Sequence, residues 1–356
     1  MKDLTPLSRR KFLKLGALGT LGVAGAAALT QQNRVTAQEI TPPTYSDSGG
    51  IDHGMHGDNL TVGDVDTTPP NFDPMKYLTT FDYGRVSTLP NGQTLREWDV
   101  FAVDKEIEVA PGIFFPAWVY GTEQHGAHAP GPTFRCTEGD RLRFNFLNAS
   151  AHPHTIHFHG IHSPGMDGVT PVVNTGESFT YEFDARPFGL HLYHCHVMPL
   201  KRHIHKGLYG TFIIDPPGGT SPLGGGRAPA KEFVMMMNGF DTNFDGENEI
   251  YAVNTVAFHY AKHPILVNVG ELIRIYLVNI TEFDPINSLH LHTGMYKMFK
   301  TGTRLDYYEY TDMVMLCQGE RAILEFTLEH PGRAMFHAHQ SELAELGWMG
   351  FFEARE

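Results

Sequence analysis

Basic side chains are scarce in this 356-residue chain, 27 Lys+Arg against 40 Asp+Glu. No stripe of Lys and Arg interleaved with aromatics runs through it, so a phosphate backbone would be repelled and nucleic acid is not an expected partner. Cysteine is rarer still, at three residues, too few for a disulfide framework. Long apolar runs and helix-period patterns are also lacking, which speaks against a helical bundle and against a membrane-spanning chain. What the chain does have is 41% hydrophobic content, enough for two ordinary domains. It also has many short segments rich in Val, Ile, Phe and Tyr between Gly and Pro turns, the composition of an all-β protein.

The N-terminus reads "LTPLSRRKFLKLGALGTLGVAGAAALT", where Arg9, Arg10, Lys11 and Lys14 precede a Gly/Ala-rich run. The run is too short and weakly apolar for an anchor, and Val35 to Ala37 offer small residues for cleavage. Arg9-Arg10 in "SRRKFLK" resembles the twin-arginine signal, which implies export of a folded chain to the periplasm or beyond, with residues 1–37 removed and no membrane span left. The mature chain then keeps 21 basic against 39 acidic side chains, a formal charge of −18. In an oxidising compartment Cys136 could pair with Cys317; two buried free thiols is the preferred expectation.

Two segments echo one another. "PGPTFRCTEGDRLRFNFLNAS" (130–150) with "HTIHFHG" (154–160) parallels "HPILVNVGELIRIYLVNIT" (263–281) with "NSLHLHTG" (287–294). In each, a Gly-acidic turn (Gly139-Asp140, Gly270-Glu271) opens an alternating strand ending in Asn148 or Asn279, and a histidine pair follows. Further on, "TGESFTYEFDARPFGLHLYHCH" (175–196) parallels "QGERAILEFTLEHPGRAMFHAH" (318–339), and "GLYGTFIID" parallels "GWMGFFEA". The pattern predicts two tandem Greek-key β-sandwich domains, 91–217 and 231–356. A Pro/Gly-rich linker at 218–230 would join them, and 38–90 reads as a largely irregular extension.

A strand alternates its faces, so each His-x-His pair presents two imidazoles to one point. Four such pairs occur: His157/His159, His194/His196, His290/His292 and His337/His339. Eight imidazoles exceed the needs of one tetrahedral zinc and suit a cluster of ions. Cys195 adds a thiolate, and two histidines with one thiolate and a weak or absent axial ligand make a blue-copper site.

Over residues 95 to 356 these motifs resemble the multicopper oxidases, in their two-domain, laccase-like branch. The resemblance implies cupredoxin-like domains and four copper ions per chain: one type 1, one type 2 and two type 3. His154, His157 and His159 match a His-x-x-His-x-His run that supplies a type 1, a type 2 and a type 3 ligand in turn. His194-Cys195-His196 matches a run in which the type 1 cysteine stands between two type 3 histidines. His203 would complete the type 1 site, with Leu208 in the axial place; His205 rivals the first and Met198 the second. A leucine there would leave copper three-coordinate and raise its potential. In the second repeat His290 would be a type 2 ligand and His292, His337 and His339 type 3 ligands. Asn287, Ala338, Leu343 and Trp348 stand where a second mononuclear site would need its donors. Asp167 and Glu342 fall where related oxidases place acids that deliver protons to reduced oxygen.

The expected activity is oxidation of phenols, aromatic amines or low-valent metal ions, with dioxygen reduced to water. The resemblance also implies a homotrimer, in which the first domain of one copy meets the second domain of the next. A copper nitrite reductase is the alternative. It fits less well, since that family has a carboxylate at the place of His157 and no histidine at that of His196. An exported copper carrier comes third, because methionine-rich low-complexity tracts are scarce.

Overall fold

A computed structural model describes residues 62–218 and 228–356. The signal sequence and residues 219–227 of the linker lie outside the described residues.

The chain forms two β-sandwiches of matching design. In the first, one sheet runs Gly126–His128, Ile113–Thr122, Thr94–Ala110, Arg141–Asn148, Ser178–Asp184, with Arg85–Thr88 paired to Thr94–Ala110. Its facing sheet runs Gly131–Thr137, Tyr209–Asp215, Gly189–His194, His157–Phe158. In the second, one sheet runs Ile250–Val253, Lys231–Phe240, Ile273–Asn279, Arg321–Phe326, Tyr296–Met298, Glu309–Thr311. The other runs Ile265–Asn268, Met349–Arg355, Gly332–His337, Ile286–Leu291, Met313–Cys317. The sequence echo is an echo of topology. Arg141–Asn148 lies parallel to Thr94–Ala110 as Ile273–Asn279 lies parallel to Lys231–Phe240. Tyr209–Asp215 lies parallel to Gly131–Thr137 as Met349–Arg355 lies parallel to Ile265–Asn268.

The alternation in "RLRFNFLN" works as a strand should. Leu142, Phe144 and Phe146 enter the first core, while Arg141 and Arg143 on the other face hold Glu182. Burying each such apolar side chain stabilises the fold by about 1.5–3 kcal/mol. Gly139 and Gly270 carry the positive φ of the turns that open these strands, at 90° and 73°, a region that disfavours a side chain.

The two sandwiches are packed together. Leu190, Leu192 and Ile213 of the first meet Val234, Met236, Tyr276 and Ile323 of the second, and Phe115 and Val119 meet Phe240 and Ala252. The methionines of "VMMMN" divide by alternation: Met235 and Met237 point into their own core and Met236 into the joint.

Within the stretch expected to be irregular, residues 73–88 are ordered structure. Asp73 caps the helix Pro74–Tyr77 by accepting from the Met75 and Lys76 amides, and Arg85–Thr88 adds a strand to the first sandwich. Leu78 enters the second core and Tyr77 the joint. Single apolar anchors between polar residues leave no periodicity to read, yet each fills a gap between packed sheets. The cysteines also differ from expectation in part. Cys136 and Cys317 are free thiols, but only Cys136 is buried. Met313–Cys317 alternates exposed and buried positions, and Cys317 falls on the outward set. Among the described residues no helix is long and apolar enough to cross a membrane.

Candidate metal centres

Three donors converge inside the first sandwich. His154 is fixed by reciprocal backbone hydrogen bonds with Val173, at 3.0 and 3.2 Å. Cys195 follows the strand Gly189–His194, and His203 lies in the helix Leu200–His205. Cys195 Sγ is 3.3 Å from His203 Nδ1 and 3.9 Å from His154 Nδ1, and the two Nδ1 atoms are 3.2 Å apart. Burial holds His154 down to about 3 and His203 to about 4, so both rings are neutral at pH 7 and each can offer a lone pair. Burial pushes the Cys195 thiol up; the Thr155 amide, 3.5 Å from Sγ, is placed to support a thiolate. Two neutral imidazoles and one thiol facing a common point fit copper.

The rival residues of each open choice lie in different surroundings. His205 faces away from Cys195: its Nε2 accepts from the Asp241 amide at 3.1 Å and its ring packs on Phe115 and Phe283. Met198 is 76% exposed, whereas Leu208 is fully buried in the apolar cluster around Cys195. Trp118 packs against the rings of His154 and His203, at 5.2 and 5.0 Å, and forms the floor of an open cleft. Asp104, Glu106, His152, Arg202 and Lys206 line it.

The paired histidines form two sets of four. His157 and His194 stand opposite one another on neighbouring strands, as do His290 and His337. His159 Nε2 and His194 Nε2 are 3.2 Å apart, and His292 Nε2 and His337 Nε2 are 3.0 Å apart. His196 packs against His157 at 5.3 Å and His339 against His290 at 5.5 Å between ring centroids. The Nδ1 atoms of His157, His194, His290 and His337 hydrogen-bond to the carbonyls of Asp167, Cys195, Asp312 and Ala338. Each such bond fixes a ring and leaves Nε2 for a metal. Burial and neighbouring imidazoles depress His159 to about 2, and burial depresses His194 to about 4. No ring contact joins the two sets among the described residues. His292 and His339 of the second are exposed.

Where the second sandwich would hold a mononuclear site it is filled. Trp348 is buried and donates from Nε1 to Asn287 Oδ1 at 2.9 Å, while Ala338 and Leu343 are buried beside it.

Of the two acids read as proton donors, Asp167 lies against the first set, with Oδ1 3.1 Å from His157 Nδ1. Glu342 is exposed in the first turn of the helix Ser341–Glu345. Sequence reasoning missed Asp312, which stands to His290 as Asp167 stands to His157, with its carbonyl 3.0 Å from Nδ1. Aligning "MDGV" with "TDMV" would have found it. Thr155 and Ser288 were missed as well; their hydroxyls accept the His196 and His339 amides.

Residues 124–219 and 227–356 each match a family described as multicopper oxidase. A solved multicopper oxidase structure is similar at 51% identity and a TM-score of 0.76, over 82% of this chain and all of that one. A probable nitrite reductase–hydroxylamine oxidoreductase fusion protein of Kuenenia stuttgartiensis is 28% identical over 70% of this chain, which spans 30% of that protein. A copper-containing nitrite reductase of Neisseria meningitidis is 26% identical over 65% of this chain, which spans 61% of it. With two cupredoxin-like sandwiches, a buried cluster of His154, Cys195 and His203 and paired histidines in both halves, the chain belongs to the multicopper oxidase family.

Proposed function

We propose that the protein is a laccase-like oxidase that takes electrons singly from phenolic, aromatic amine or metal-ion donors and reduces dioxygen to water. The observation that carries the reading is the pair of four-imidazole sets, one of them continuous in backbone with Cys195. Four copper ions per chain would supply one-electron chemistry at a type 1 site and four-electron reduction of dioxygen at a trinuclear cluster. His154, Cys195 and His203 would hold the type 1 ion, with Leu208 on its axial side. His157 and His290 would hold type 2, and His159, His194, His196, His292, His337 and His339 type 3.

Each dioxygen takes four electrons and four protons to give two waters. Asp167, whose Oδ1 lies 3.1 Å from His157 Nδ1, would deliver protons to that set, and Glu342 is the second candidate on the other side. The cleft over Trp118, whose ring packs on His154 and His203, would bring a donor near that pair.

Among the described residues no ring contact joins the two sets, so the cluster would be completed between copies in a homotrimer, the exposed His292 and His339 docking on a neighbour's first sandwich. Exposed Met313 and Met315, paired with His290 and Ser288, would supply an apolar rim to that contact. Export by residues 1–37 to the periplasm or beyond belongs to the same reading.

Resemblance to nitrite reductases supports the competing reading, against which stand His157 and His196. Copper analysis with oxygen uptake and nitrite turnover measured on one preparation decides. Four coppers per chain, sustained oxygen uptake with a phenolic donor and a trimeric mass are expected; two coppers per chain with nitrite turnover would overturn the oxidase.

A further inference from the structure

His154 is tied to a carboxylate at the surface through a single hydroxyl. Its Nε2, the ring atom turned away from Cys195, lies 2.9 Å from Ser150 Oγ. Ser150 in turn donates to Asp104 Oδ1 at 3.1 Å. Ser150 and His154 are buried, and Asp104 sits on the strand Thr94–Ala110 at the cleft over Trp118. Since the hydroxyl proton goes to the carboxylate, Ser150 Oγ must accept from His154, which fixes the proton on Nε2 and leaves Nδ1 to face the thiol.

The second sandwich supplies an internal control. Strand register pairs Ala102 with Asn148 and Met237 with Asn279, so Ser150 corresponds to Thr281, His154 to Asn287 and Asp104 to Gly239. The hydroxyl bond is kept there, Asn287 Nδ2 donating to Thr281 Oγ1 at 3.1 Å. The carboxylate is not: a side chain at Gly239 would collide with Asn248 at under 3 Å. Hydroxyl support is thus common to both halves, and among the described residues a carboxylate stands behind it at Ser150, on the side of His154, Cys195 and His203, and not at Thr281.

We infer that Asp104 acts through Ser150 on His154 as a positioning and tuning residue, strengthening that imidazole as a donor and lowering the reduction potential of the mononuclear copper. The inference rests on the copper reading of His154, Cys195 and His203. Negative charge at the far end of the chain draws the Nε2 proton toward Ser150 and raises electron density at Nδ1, which favours the cupric state. Leu208, which offers no axial donor, works in the opposite direction, so the two together set the potential.

The test is spectroelectrochemical titration of the blue absorption in the copper-loaded protein. Asp104→Asn removes the charge. Ser150→Ala breaks the chain but keeps the second bond of Asp104, from the Ala151 amide at 2.8 Å. Glu106→Gln removes a carboxylate on the same strand that is not joined to Ser150. Ser150→Thr restores the hydroxyl. Asp104→Asn and Ser150→Ala are each expected to shift the equilibrium about tenfold toward the cuprous state, a rise of about 59 mV. The double variant should rise no further than either alone; Glu106→Gln and Ser150→Thr should stay near wild type. An unmoved potential in Ser150→Ala, or an equal rise in Glu106→Gln, overturns the inference. If a variant takes up no copper, pulsed EPR of the wild type decides. The remote nitrogen of His154 should differ from that of His203, and equal couplings overturn the relay. A copper-loaded wild type without a blue band defeats the reading of the site and this inference with it; a blue band with unmoved potentials defeats the inference alone.

Discussion

The same fold is used twice in this chain, and the two copies part at one spot. Around Cys195 the first sandwich keeps two neutral imidazoles and a thiol in a pocket closed by Leu208. At the corresponding spot the second has Ala338, Leu343 and Asn287, with the Trp348 indole filling the space and donating to Asn287. Buried polar groups need partners. One copy finds them in an indole and an amide, while the other sets two imidazoles and a thiol against one another, an arrangement that could hold a metal ion. The histidine pairs are alike in both copies, so the scaffold does not dictate the difference: four side chains do.

Substitution at the two corresponding spots should therefore have opposite signatures. Cys195→Ser is expected to abolish the blue absorption and donor-driven oxygen uptake, lower the copper content by one ion per chain and leave unfolding of the metal-free protein nearly unchanged. Trp348→Ala should do the reverse, costing about 3–5 kcal/mol in denaturant unfolding with the blue band intact. A blue band lost in Trp348→Ala would show that the two spots are not independent.

Acid should separate metal-free from metal-loaded protein. His154, His159, His194 and His203 are held down to between about 2 and about 4, below the ordinary value near 6.5 of an unfolded chain. As pH falls below about 6.5 the unfolded state gains protons that the folded state refuses, so stability present at pH 7 is lost, by up to about 1.4 kcal/mol per pH unit for each excluded proton. Metal-free protein should unfold progressively more easily from pH 7 to pH 4. Copper, which binds the neutral rings, should oppose this down to the pH at which it is released. Chemical denaturation at stepped pH measures both; a flat profile for the metal-free protein would show that these rings are protonated without cost.

The sandwiches, their repeat and the histidine pairs were legible because each rests on short-range spacing: alternation along a strand, a glycine at a turn, an i, i+2 pair. His203 and His205 could not be separated without knowing that a helix carries them. At about 100° per residue, positions two apart point to different sides, and here one faces Cys195 and the other Asp241. Asp104 lies 46 residues from Ser150, and only the parallel pairing of two strands brings them together. The order within 73–88 was hidden for another reason. Its anchors Tyr77 and Leu78 have no repeat of their own and gain their role from the cores they enter.

The smallest expected effect probes what the two copies share. Asp167 and Asp312 each offer a carbonyl to the Nδ1 of a ring in their own set, at 2.7 and 3.0 Å, but their carboxylates differ. Asp167 Oδ1 is 3.1 Å from His157 Nδ1, and Asp312 Oδ2 is 3.8 Å from His290 Nδ1. Conversion to Asn leaves the carbonyls in place and removes only the charge. If ring orientation comes from the carbonyl, both variants keep their copper content. If Asp167 also delivers protons, Asp167→Asn alone lowers turnover, by about 10- to 100-fold as is usual for groups supporting a metal site, and more steeply at high pH where protons are scarce. Asp312→Asn should fall by only a few-fold, because its carboxylate stands farther from the ring it supports. Equal losses in both would assign the carboxylates a shared electrostatic role and remove the asymmetry that singles out Asp167.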